Sequence, residues 1–113
     1  GVLNSFANGC GTTEYTIPDS VTTIRHSAFY GCDSLTSVTI GDSVTTIGDY
    51  AFAYCTDLTS VYCKATTPPT GEDDMFYNNA PGRKIYVPRN SVSAYKSASG
   101  WSVYKNYIVG YDF

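Results

Sequence analysis

The sequence predicts an α/β repeat solenoid, a short parallel β-sheet of about four coils with a 23-residue period and a helical C-terminal cap. Three observations carry that reading. Ile17, Ile40 and Cys63 recur at 23-residue spacing, as do Val21 and Val44, Ile24 and Ile47, Phe29 and Phe52, Cys32 and Cys55, and Val38 and Val61. A fixed period of this size marks stacked repeats rather than an ordinary packed domain. Within each copy an apolar strand pattern repeats, and after Pro88 that pattern gives way to helix signals.

The strands come first. Leu35-Thr-Ser-Val38-Thr-Ile40 and Leu58-Thr-Ser-Val61-Tyr-Cys63 follow L-x-x-L-x-L, the pattern of a leucine-rich repeat strand. Alternation turns Val38 and Ile40 inward and Thr39 outward. The inward pairs of four strands are Tyr15 with Ile17, Val38 with Ile40, Val61 with Cys63, and Ile85 with Val87. The turns "PDS" at 18–20 and "GDS" at 41–43 lead into "VTTI", a short extended piece with Val and Ile inward. "SAFYGC" and "YAFAYC" are expected to form a single helical turn that plugs Phe29 or Phe52 into the core.

The outer copies are worn. Phe6 and Tyr15 lie one period before Phe29 and Val38, with Cys10 one place off the Cys32 position. A shift of 24 places Met75 on Ala51, Phe76 on Phe52 and Ile85 on Val61. The segment 64–74, "KATTPPTGEDD", carries Pro68, Pro69 and Gly71 and is expected to project as a loop. In "NSVSAYKSASGW", Asn90 or Ser91 is the expected helix N-cap and Gly100 the C-cap, with Trp101, Tyr104 and Ile108 continuing at near-helical spacing. Residues 1–88 thus read as repeats and 89–113 as a cap packed on them, in one structural unit, with Trp101 buried in the cap.

Composition narrows the function. A net charge of -3 argues against a nucleic-acid backbone as partner, which needs a basic stripe. No run is apolar enough to span a bilayer. Residues 1–30 lack the basic start and apolar stretch of an export signal, so an exported chain is expected to have lost it ahead of Gly1. Eleven tyrosines among abundant Ser and Thr suit neutral, hydrogen-bonding surfaces.

Few residues offer chemistry. Cys32 and Cys55 sit beside inward Phe positions and are read as core thiols, because side chains stacked in parallel make a poor bridge; Cys63 takes the place of Ile40 in the core. His26, the one histidine, aligns with Asp49 on a turn and is read as an exposed surface residue. The cysteines lack close C-x-x-C pairing, and Glu72, Asp73 and Asp74 lack a calcium-loop pattern, so no metal or other cofactor is expected. No nucleophile motif or phosphate-cradling loop accompanies His26, and no enzyme activity is expected.

The ordered set "YTIPDSVTTI", "AFYGC", "LTSVTI", "CKATTPP" and "IYVPRNSVSAYKSASGW" closely resembles the BspA-like leucine-rich repeat proteins over nearly the whole chain from about Leu3. The resemblance implies a bacterial secreted or cell-surface protein used for adhesion or protein binding, with a host matrix glycoprotein as one possible ligand class. It brings no catalytic residues. The candidate binding strip is the outward row of the strands, Thr16, Thr39, Tyr62 and Tyr86, bordered by Lys64 and Lys84. Tyr62 and Tyr86 are its expected centre, since Tyr is enriched at interface hot spots, though neighbouring aromatics also stabilise sheets. Two alternatives stand beside protein binding: stacking of tyrosines or an exposed Trp101 on sugar rings, and a purely structural spacer or cap of a larger protein.

Overall fold

The computed structural model describes residues 1–3 and 11–113. Phe6 and Cys10, assigned above to a worn first copy, lie outside the described residues. The chain passes through β1 (Val2–Leu3), β2 (Glu14–Thr16), β3 (Thr23–Ile24), β4 (Ser37–Ile40), β5 (Thr46–Ile47), β6 (Ser60–Cys63), β7 (Lys84–Pro88), α1 (Val92–Ser97) and β8 (Ile108–Tyr111). Among the described residues these strands form two parallel sheets. The larger has five strands in the order β2-β4-β6-β7-β8, and the smaller has the order β1-β3-β5.

Register explains why equivalent residues meet. Val38 pairs with Val61, Thr39 with Tyr62 and Ile40 with Cys63, while Thr23 pairs with Thr46 and Ile24 with Ile47. Each inward side chain therefore packs on its equivalent in the next copy, and Ile17, Ile24, Val38, Ile40, Ile47, Val61, Ile85 and Val87 are buried in a single core. Threonine hydroxyls reinforce the stacking: Thr36, Thr45 and Thr59 each donate Oγ1–H to the carbonyl of the residue 23 positions earlier.

The "AFxxC" segments are not helical turns. Turn bonds such as Ala28 N–H to Arg25 O alternate with bonds to the following copy, Ser27 N–H to Asp49 O, Phe29 N–H to Ala51 O and Gly31 N–H to Ala53 O. A helix spends its amides internally, whereas positive φ at Ser27 and Gly31, and at Tyr50 and Tyr54 one copy on, turns alternate amides toward the neighbour. Phe29, Phe52 and Phe76 thereby form a stacked column, with ring centroids 4.7 and 5.4 Å apart.

The segment 64–74 does not project. Ala65 and Pro69 are buried, and Thr70 bridges to Thr46 with Ile47 N–H donating to Thr70 O at 2.8 Å. Proline lacks a donor but keeps its carbonyl, and here carbonyls are what the following residues bind. Trp101 Nε1–H donates to Pro69 O at 2.7 Å, Tyr95 O–H to Ala65 O at 2.6 Å, and Ser91 O–H to Thr66 O at 2.7 Å. The Tyr104 hydroxyl donates to Asp73 O and accepts from Phe76 N–H, standing where the carbonyl of another copy would stand. Trp101 and Tyr95 are fully buried.

The C-terminal stretch is only partly helical. Ser91 is the residue before α1, but its hydroxyl is engaged with Thr66 and caps nothing. Gly100 does not end the helix, which closes at Ser97; its φ of +83° lets the chain press against Gly71, where a Cβ would lie 2.4 Å from the Gly71 carbonyl carbon. Trp101 and Tyr104 do not continue a helix into Ile108. A 3-10 segment, Ser102–Tyr107, leads instead into β8, where Ile108 pairs with Ile85.

Candidate ligand-binding face

The outward residues of the larger sheet gather as their strand positions require. Thr16 pairs with Thr39, Thr39 with Tyr62, and Tyr62 with Tyr86. The Tyr62 and Tyr86 rings lie 4.7 Å apart and nearly parallel, at 13°. Both are partly buried, while Lys64 and Lys84 are exposed at the strand ends.

Sequence reasoning missed two further residues, Tyr111 at the end of β8 and Phe113 two positions past it. Tyr111 stands edge-on to both tyrosines, 5.4 Å from each centroid, and Phe113 packs on Tyr111 at 4.9 Å. Thr16, Thr39, Tyr62 and Lys64 line one concavity of about 300 Å³ with Tyr111 and Phe113. Lys64 also borders two further depressions, one reaching Arg89 and Asp112, the other reaching Asp42 and Pro68. Lys84 lines none of these; it pairs in register with Ser60 at the opposite end of β7. The missed residues carried a signal, since Ile108 lies 23 residues after Ile85 and so announces another strand.

The electrostatics are mild. Arg89 and Asp112 are paired at 2.8 Å on the surface, and Arg89 holds the Asp112 carboxyl below its ordinary range. Among the described residues no His, Cys, Asp or Glu cluster is arranged to hold a metal ion, and His26 is exposed.

The cysteines divide. Cys32 is disulfide-bonded, which corrects its reading as a core thiol; a stacked partner is indeed excluded, because Cys55 is free. Cys55 and Cys63 are buried free thiols whose pKa burial pushes up to about 11. Cys55 donates S–H to Phe29 O, and one copy later Asn79 fills the same role by donating Nδ2–H to Phe52 O at 2.7 Å. Cys63 lies 3.3 Å from the Tyr95 hydroxyl, which donates onward to Ala65 O.

Comparison with curated proteins returned no match. No helix among the described residues is long and apolar enough to cross a membrane. The family model of the BspA type leucine rich repeat region (6 copies) matches residues 3–100, a span that takes in β2 to β7, the phenylalanine column and α1 but not β8. Together with the stacked parallel strands, this match places the chain in the BspA type leucine-rich repeat family.

Proposed function

We propose that this chain is a non-catalytic, secreted or cell-surface binding module that uses the outward face of its larger sheet to engage a protein ligand, in adhesion to host matrix glycoproteins. Leucine-rich repeats suggest protein interaction in general. The observation that carries the finer reading is the concavity in which Thr16, Thr39, Tyr62 and Lys64 converge with Tyr111 and Phe113. It sets tyrosines and threonines of four strands beside the Phe113 ring and the Lys64 cation, and tyrosine is the residue of this set that interface hot spots favour. The scaffold we infer is a solenoid of 23-residue copies over residues 1–88, closed by residues 89–113. The hydroxyl ladder spaced by 23 residues supports the period, and the side-chain donors of Ser91, Tyr95, Trp101 and Tyr104 support the closure.

Sugar stacking has less support. Trp101 is fully buried, and Tyr62 and Tyr86 present their faces to each other. The purely structural reading draws on the same closing residues as the cap. A binding screen against immobilised matrix glycoproteins and a glycan array separates the three. Saturable binding to a protein, lost in Tyr62→Ala/Tyr86→Ala, is the expected result. A glycan hit lost in that variant supports the sugar reading, and silence on both panels supports the spacer.

A further inference from the structure

A second aromatic surface lies away from the sheet face, on the column of turns. Tyr30, Tyr50, Tyr54 and Tyr77 are 51, 40, 37 and 50% exposed. They are contiguous: Tyr30 lies 6.3 Å from Tyr50 and 5.2 Å from Tyr54 by ring centroid, and Tyr54 lies 5.6 Å from Tyr77. Single exposed aromatics are ordinary, but a run of four in contact is the kind of patch that marks an interaction site. Tyr50 and Tyr54 hold φ of 58° and 60°, where a bulky side chain is uncommon. Equivalent positions carry Gly31 and Asn78, residues better suited to that conformation, so local backbone preference does not explain tyrosine at 54.

The ridge is flanked by acid. Asp49 directly precedes Tyr50, and the Asp74 carbonyl accepts from Tyr77 N–H at 3.2 Å, so both acidic residues sit along the ridge, where the charge of Asp74 and, more weakly, of Asp49 raises the Tyr50 pKa. Ring faces and carboxylates both attract a cation, the first through the quadrupole and the second through charge. The chain already displays the aromatic half of this chemistry, with the Arg83 guanidinium 4.4 Å above the Tyr107 ring and 5.5 Å from that of Tyr104. We propose that the ridge of Tyr30, Tyr50, Tyr54 and Tyr77, with Asp49 and Asp74 beside it, is a docking surface for an arginine- or lysine-bearing protein segment. It is independent of the sheet face, since neither the concavity at Tyr62 nor its neighbours includes any of these residues.

The test is calorimetric titration of the full 113-residue chain with a short peptide alternating arginine and glycine, and with glutamate-glycine and serine-glycine counterparts. Only the arginine peptide is expected to bind. Tyr30→Ala/Tyr54→Ala and Asp49→Asn/Asp74→Asn should each weaken it about tenfold. Asp42→Asn, an acid removed elsewhere, and Tyr62→Ala/Tyr86→Ala should change it less than about twofold. Tyr77→Ser, at a half-exposed ring, gives the same readout should the double tyrosine variant fail to fold. Failure of the arginine peptide to bind, retained affinity in the tyrosine variants, or an equal loss in Asp42→Asn, which would show attraction to net charge alone, overturns the proposal. Loss of binding in Tyr62→Ala/Tyr86→Ala alone assigns the peptide to the sheet face and also overturns it.

Discussion

Phe52 lies between Phe29 and Phe76, fully buried, so its ring belongs to two stacking contacts at once. Phe52→Ala is expected to cost about 3 to 5 kcal/mol, read as a fall in the denaturation midpoint. Asn79 tests the hydrogen-bond position that it shares with Cys55. Asn79→Ala leaves the Phe52 carbonyl unpaired and is expected to cost about 1 to 3 kcal/mol, whereas Asn79→Cys supplies a donor again and should cost less. The free thiols set a pH dependence. Burial holds Cys55 and Cys63 at about 11 against an ordinary value of 9.0, so the folded chain keeps protons that the unfolded chain releases. Their contribution is fully present below pH 9 and is lost as pH rises toward about 11. Tyr95 and Tyr104, also raised chiefly by burial, act with the same sign. Urea midpoints should therefore fall across that window. At neutral pH an alkylating reagent followed by mass spectrometry should leave Cys55 and Cys63 unlabelled until the chain is unfolded.

Among the elements, Trp101 and Tyr104 show how side chains take up hydrogen bonds that the sheet ladder leaves open. Trp101→Phe keeps an aromatic ring beside Phe76 but removes the donor to Pro69 O, and a loss of about 1 to 3 kcal/mol is expected by thermal or urea unfolding. Gly100→Ala places a Cβ against the Gly71 backbone at a positive φ and should cost ~2 kcal/mol or more. The strands were legible from sequence because a period of two inside a longer repeat fixes both face and register, as at Val38 and Val61. The "AFxxC" turns were not, since phenylalanine spacing cannot tell amides bonded within the segment from amides bonded to the next copy; only Gly31 hinted at a left-handed residue. β8 was hidden by Trp101, Tyr104 and Ile108, whose spacing imitates a helix although a 3-10 segment connects them. The prolines of 64–74 suggested a free loop because they cannot donate, yet it is carbonyls that hold the segment in place. For the site, Thr16, Thr39, Tyr62 and Lys64 followed from strand alternation, and Tyr111 and Phe113 could be found only once β8 was recognised.

At the scale of the whole molecule, stacking gives a chain of 113 residues a rigid sheet whose inward residues are committed to the core and whose outward residues remain available for recognition. With a net charge of -3, association with a neutral or basic ligand meets no long-range repulsion. Because Tyr62 and Tyr86 are also cross-strand neighbours, loss of their pairing is expected to weaken the sheet by about 0.2 to 1 kcal/mol. The decisive measurement is the equilibrium affinity of the intact chain for a matrix glycoprotein captured in the screen, compared with that of Tyr62→Ala/Tyr86→Ala after circular dichroism has confirmed its fold. Loss of at least about tenfold in affinity is the predicted result. A folded double variant that binds as tightly as the original chain would contradict the assignment of this face.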